Sequence, residues 1–331
     1  MKTKNGTRQI DLLNQLFFLP GKNLSLTIPV TILCGLLIGN AFDTQFLKSG
    51  ILIGTFFMIF PTMIGFRLRS AFDLSHGKVV LLSLLINFLA IPLIAALMGG
   101  ALFTSPELFA GLAISALLPT SGMTISWTML SKGNVEAAVK MTALSLIVGS
   151  LAAPVYLKWM IGSAIVFDML QIFQTILVIV FLPMLAGQAA TVFLLKRYGK
   201  ETFAKQIKPI LPAVSTWAMI FVIFSSISMK APIFSNHPEQ ILYILIIVVF
   251  FYGLNFLIST FIGRWLLERR DALALVYGTA LRNLSIALGI AVAAFGPSAA
   301  LTVTLSFIVQ VQFAAWFGKA ADRFHFFGKG A

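Results

Sequence analysis

The sequence predicts an all-α, multi-pass membrane protein. Ten transmembrane helices are expected, as two inverted five-helix repeats whose fourth and ninth helices are broken. Three observations lead there. The 331 residues are 59% apolar and only 11% charged, with mean hydropathy +0.96, more apolar surface than a soluble domain hides. Lys and Arg collect in alternate loops between long apolar stretches, and the two halves of the chain resemble each other.

Segment 1–23 is polar and basic. Within it DLLNQLFFLP (11–20) places Leu12, Leu13, Leu16 and Phe17 on one helical face, the pattern of a helix lying on the inner leaflet. The first repeat, 24–162, carries apolar stretches near 24–42, 49–66, 79–102, 106–130 and 135–161. The second, 168–318, carries them near 168–194, 210–229, 239–262, 272–295 and 298–318, and 319–331 form a cytoplasmic tail with an interfacial FHFFGKGA end. Several stretches hold internal Pro, Gly pairs or polar patches, which transporters tolerate and simple anchors rarely need.

The net charge of +13 does not read as nucleic-acid binding, because its distribution follows the spans. Nineteen Lys and Arg fall on the N-terminal side of the predicted topology, and only Lys48, Lys158 and Lys230 on the other. By the positive-inside rule both termini are cytoplasmic, in a cell (inner or plasma) membrane. Two cations remain within spans, Lys140 and Arg282. Glu136, four residues before Lys140, supplies an i,i+4 partner for the first. A single cysteine, Cys34, excludes disulfides and Cys metal sites, and the three histidines fall in loops or the tail. Neither a metal nor a cofactor is expected. No HExxH, paired-Asp cluster or intramembrane His or Cys nucleophile marks an enzyme.

The repeat aligns TALSLIV (142–148) with VTLSFIV (303–309) and lays Pro119-Thr120 on Arg282-Asn283. Five spans per half is an odd number, so the halves run in opposite orientations, and such repeats bind substrate near the midplane on matched discontinuous helices. In the fourth span Pro119 and Gly122 break the helix beside Thr120, Ser121 and Thr124; in the ninth, Arg282 and Asn283 sit between Gly278, Thr279 and Ser285. A guanidinium near the bilayer centre costs roughly 2.5–3.5 kcal/mol on insertion scales. All eleven acidic residues lie in loops or near span ends. Two readings follow. Arg282 accepts an anion from outside in a solvated cavity, or it bonds backbone carbonyls and only holds a broken helix. The hydroxyls, likewise, either orient a ligand or are the small polar residues of helix packing.

The strings LLPTSGMTISWTMLSKGN (117–134) and LRNLSIALGIAVAAFG (281–296), with FFMIFPTMIGFRLRSAF (56–72) and LLSLLINFLAIPLIAAL (81–97), resemble the bile acid/sodium symporter superfamily, and most of all its arsenite-exporter branch. The resemblance covers about residues 24–318. It implies ten spans, a mobile core and panel domain, crossed broken helices four and nine, and alternating access. This chain departs from the pattern. Where that branch has a cysteine after the span-four proline it has Thr120, and where the branch has a glutamate in span nine it has Ser285. The Ser-Asn of sodium-coupled members is replaced by Thr124-Ile125, and their span-nine Glu and Gln by Gly278 and Arg282.

The expected function is therefore secondary transport of a small anion, an organic acid or oxyanion, across the lipid bilayer. Arg282 is the anchor, and Asn283, Thr120, Ser121, Thr124, Thr279 and Ser285 are the orienting groups. The alternative in the same class is an arsenite or antimonite efflux permease. A channel or non-transporting sensor is the alternative from another class.

Overall fold

The computed structural model describes residues 17–66, 75–162, 169–236, 238–324 and 326–327. Among these residues the chain is helical, with a single isolated β-bridge and no strand. We number the helices α1 (Leu24–Ala41), α2 (Lys48–Met63), α3 (Gly77–Leu102), α4 (Pro106–Leu117), α5 (Gly122–Leu130), α6 (Val135–Ile161), α7 (Ile172–Ile207), α8 (Leu211–Ser228), α9 (Pro238–Leu266), α10 (Arg269–Ala280), α11 (Leu284–Ile290) and α12 (Gly296–Arg323).

Among the described residues seven stretches are long and apolar enough to cross a membrane: Gln45–Met63, Gly77–Leu102, Val135–Ile161, Ile172–Ile207, Leu211–Ser228, Pro238–Leu266 and Leu284–Ala321. The sequence led us to expect ten, and the difference has a physical cause. The fourth and ninth apolar stretches are interrupted, so that Pro106–Leu117 is too short alone, as is Leu26–Ala41. Leu284–Ala321 also joins two expected spans across Gly296, whose φ of +80 turns the chain there. The outside is apolar, with Leu37, Leu257 and Trp265 among many exposed large side chains, as hydrocarbon requires.

Residues 1–16, which include most of the expected interfacial helix, Arg67 and Arg69, and most of the tail lie outside the described residues. Residues 17–22 are helical, and the Trp217 indole donates to the Phe17 carbonyl at 3.0 Å. Lys140 is paired as the sequence suggested: its ammonium stands 3.4 Å from Glu136, and also 3.4 Å from His76.

α4 lies between α6 and α12, while α9 packs against both α10 and α12. Glycines permit the closest approaches. A Cβ on Gly111 would stand 2.4 Å from the Ala299 carbonyl oxygen and 2.7 Å from Thr302 Cβ. α3 owes its shape to Pro92, which has no N–H for the Phe88 carbonyl four residues back. The Tyr156 hydroxyl of α6 donates to that carbonyl instead. Just before the proline the helix winds as a π-turn over Ile86–Ala90, and this turn carries the fully buried Asn87.

The packing of α4 yields a test. Gly111→Ala pushes a methyl into a backbone carbonyl that cannot rotate away, and overpacking of this kind costs about 1–3 kcal/mol. The melting temperature in detergent should fall clearly. Gly100→Ala, where a Cβ meets nothing within 4 Å, should leave it unchanged or slightly raised. Equal behaviour of the two variants would mean that α4 and α12 are not in this contact.

Candidate functional site

Both helix breaks follow from local chemistry. Pro119 restricts the residue before it, so α4 stops at Leu117 and Leu118 leaves the helical region at φ −106, ψ 75. Thr120 takes the left-handed φ of +56 and Ser121 is extended before α5 begins at Gly122. In the other half α10 ends at Ala280, and Leu281 is extended at φ −87, ψ 105. Asn283 then caps α11, its side-chain oxygen accepting from Ile286 N at 3.3 Å.

The two extended pieces meet. Pro119 and Arg282 form an antiparallel bridge, and Asn283 N donates to the Leu118 carbonyl at 2.8 Å. Pro119 and Arg282 are residues that the internal alignment equates. Gln310 of α12 completes the pairing, its Oε1 accepting from Arg282 N at 2.6 Å and its Nε2 donating to Arg282 O at 3.2 Å. One amide side chain thus takes the place of a neighbouring strand.

The Arg282 side chain is fully buried, and no carboxylate pairs with it among the described residues. Nη1 donates to Asn87 Oδ1 at 2.9 Å. Asn87 is fixed for this role, since its Nδ2 donates to Ser83 Oγ and to the Gly278 carbonyl, both at 3.1 Å. The guanidinium therefore holds a side-chain amide rather than the backbone carbonyls that one sequence reading assigned to it. Among the described residues its Nε and Nη2 have no hydrogen-bond partner. A buried donor left unpaired costs about 1–3 kcal/mol, and more when charged.

The other singled-out residues surround this point unevenly. Thr120 is buried and donates to the Pro119 carbonyl at 2.8 Å, with the Thr142 carbonyl at 3.5 Å. Thr124 donates to the Tyr277 carbonyl at 3.2 Å. Thr279 reaches Ser259 Oγ at 2.6 Å and the Leu275 carbonyl at 2.8 Å. These three hydroxyls are engaged within the protein, whereas the buried Ser121 hydroxyl is unpaired. Ser285 and Asn283 are half-buried at the start of α11. Gly122 is exposed, with open space where a Cβ would stand. Among the described residues no group of three His, Cys, Asp or Glu could hold a metal ion.

Asn87 was quoted in the sequence only as part of a resemblance, and Gln310 was not singled out. The available signal was an amide inside an otherwise apolar span, as in LLINFLA and FIVQVQF.

Residues 52–237 match the model of the Sodium Bile acid symporter family. The chain is 24% identical to the uncharacterized protein YbaS of Bacillus subtilis, over 76% of this chain and 81% of that one. It is 26% identical to the uncharacterized transporter slr0944 of Synechocystis, over 88% and 85%. It is 23% identical to the arsenical-resistance protein Acr3 of Corynebacterium glutamicum, over 79% and 74%. With more than half of its length matched by the family model, and with apolar helices long enough to span a bilayer, this chain belongs to the sodium bile acid symporter family, as an integral membrane protein of the secondary-transporter type and not an enzyme.

Proposed function

We propose that the protein moves a small anion, an organic acid or oxyanion, across the cell membrane by alternating access, with Arg282 as the electrostatic anchor. The observation that carries this reading is the fully buried guanidinium with two unpaired donors and no carboxylate beside it. A fixed cation in a low-dielectric surround attracts an anion and repels a free cation. Asn283, Ser121 and Ser285 stand close in sequence to the crossing and serve as orienting groups. Thr120, Thr124 and Thr279 hold the break in shape, and their hydroxyls become ligands when the halves move.

The architecture belongs to the same proposal: ten crossings in two inverted halves, the breaks at 118–121 and 281–283 forming the midplane site. Its support is the pairing of Pro119 with its repeat equivalent Arg282. Both termini then face the cytoplasm, following the asymmetry of the basic loops. The second reading, metalloid efflux, is favoured by the similarity to an arsenical-resistance protein. Against it stands the absence of thiol at the crossing: the exposed Cys34 is in α1, and arsenite favours thiolate ligands.

Three outcomes test these assignments. Arg282→Gln should abolish anion transport in proteoliposomes, while Arg282→Lys keeps the charge without the planar fork and retains partial activity at weakened affinity. Both should be scored beside detergent size-exclusion profile and melting temperature. Normal transport by Arg282→Gln would remove the anchor, and its failure to fold would make the guanidinium purely structural. Replacing sodium by choline should leave most activity, because no carboxylate stands at the crossing to bind a hard cation; saturable sodium dependence would place a cation site there. Arsenite resistance conferred on an efflux-deficient host should be weak and should rise with Thr120→Cys. Strong wild-type resistance that survives Cys34→Ser would put metalloid efflux first.

A further inference from the structure

On the outer surface, α3 and α9 meet at one end and part at the other. Where they meet, the Tyr243 hydroxyl of α9 donates to the Leu102 carbonyl at 2.6 Å, and Ile91–Leu102 packs on α9. Over Gly77–Leu85, α3 packs on α10 instead. A groove of about 380 Å³ opens between the outer helices on this side, more than twice the roughly 150 Å³ that admits a benzene ring. Its walls include Leu82, Leu85, Leu89 and Ala90 of α3 and Ile262 and Leu266 of α9, and among the described residues every lining side chain is Leu, Ile or Ala. The leucines recur at three- and four-residue steps, a single stripe along α3. Ala90, smaller than its neighbours, gives the groove depth.

One end of this groove is charged. Lys78 is exposed four residues before Leu82, one turn further along the same stripe. Arg269 and Arg270 follow Leu266 at the corner into α10. The acids at this corner are Glu268, which is exposed, and Asp271, which accepts from Asn134 Nδ2 at 2.7 Å. Trp265, 73% exposed and 5.2 Å from the Phe261 ring, is the kind of side chain that settles at the headgroup level of a bilayer. An apolar groove that runs into excess positive charge at this level matches an acyl chain joined to a phosphate. A zwitterionic headgroup brings its own ammonium to these cations, whereas an anionic one does not.

We propose that the groove between α3 and α9 is a binding site for one anionic phospholipid, with an acyl chain along Leu82, Leu85, Leu89 and Ala90 and the phosphate at Lys78 and the Arg269–Arg270 corner. The site uses no residue of the helix breaks, so it stands whether or not Arg282 anchors an anion. It touches the crossing through one element. Ile86, Leu89 and Ala90 of the groove belong to the π-turn Ile86–Ala90, whose Asn87 holds Arg282 Nη1 at 2.9 Å. A π-turn is a rare winding, and here its outer side faces a groove without packed protein atoms. A chain lying in the groove supplies the missing dispersion contacts, so bound lipid stabilises the turn and with it the position of Asn87.

The test uses the purified full-length protein, stripped of lipid by detergent exchange. Dioleoyl phosphatidylglycerol or dioleoyl phosphatidylcholine is titrated in mixed micelles while the melting temperature is followed, and native mass spectrometry counts the lipid retained. Phosphatidylglycerol should raise the melting temperature saturably, with half-saturation about tenfold below that of phosphatidylcholine and one molecule retained. Ala90→Phe fills the groove and should weaken half-saturation about tenfold or more and lose the retained lipid. Leu257→Phe, on an exposed part of α9 outside the groove, should respond as the wild type does. Lys78→Gln should cut the preference for phosphatidylglycerol about fivefold and leave the response to phosphatidylcholine unchanged. If Ala90→Phe does not purify as a single species, Ala90→Leu takes its place. A wild-type response in the Ala90 variant overturns the groove as the site. Equal response to the two lipids, or a preference untouched by Lys78→Gln, overturns the anionic headgroup. A stripped wild-type protein that runs as a dimer on size exclusion, while Ala90→Phe runs as a monomer, puts a second copy in the groove and overturns the lipid.

Discussion

Backbone hydrogen bonding at the two helix breaks is the constraint on which the rest of the molecule depends. Hydrocarbon offers no partner for a freed N–H or C=O, so a broken helix inside a membrane must find partners within the protein. Here each break supplies them to the other, through the Pro119–Arg282 bridge and the bond from Asn283 N to the Leu118 carbonyl. Gln310 serves both remaining backbone groups of Arg282. The surrounding helices are placed to permit this. Gly111 brings α4 onto α12, the helix that carries Gln310. Gly149 brings α6 close enough that a Cβ there would lie 3.0 Å from the Leu117 carbonyl and from the Pro119 ring. Thr124 and Thr142 are spent on the Tyr277 and Ala138 carbonyls respectively, so several hydroxyls near the crossing serve backbone before anything else.

Helical class, membrane character and the position of both breaks were legible because each has a local signature: long apolar runs, a proline, an intramembrane arginine. The family was legible for the same reason, as its motifs lie at the breaks. The number of separate long helices was less so. Apolar composition runs continuously through 284–321, while the turn at Gly296 depends on one backbone torsion that composition does not register. Around the site, residues adjacent in sequence to the breaks were found, and residues that reach it from other helices were missed. Asn87 arrives from α3 through a π-turn whose cause is Pro92, five positions away; Gln310 arrives from α12. A one-dimensional reading sees each as an isolated polar residue in an apolar helix, which is common wherever transmembrane helices pack. Only the tertiary register distinguishes Gln310, whose amide pairs with the Arg282 backbone, from Thr260, which simply donates to the carbonyl four residues behind it.

That register also resolves an opposition that the sequence presented as a choice. Arg282 read either as the holder of a broken helix or as a receiver of ligand. A guanidinium has separate edges, and here they are in different states. The backbone of Arg282 is locked by Gln310 and Nη1 by Asn87, so one part of the residue belongs to the fold. Nε and Nη2 are unpaired, so the other part does not. Lysine offers no such division, because its ammonium is a single rotatable point whose donors cannot be assigned to fixed directions. Holding one edge also lowers what ordering the other would cost when a ligand arrives, since the side chain's rotamer freedom is already lost in the unliganded protein. The same arrangement explains why carboxylates can be absent from the crossing without the charge becoming prohibitive. Asn87 supplies a neutral acceptor at 2.9 Å, enough to orient the guanidinium and too little to neutralise it, so the crossing stays electropositive toward whatever enters it.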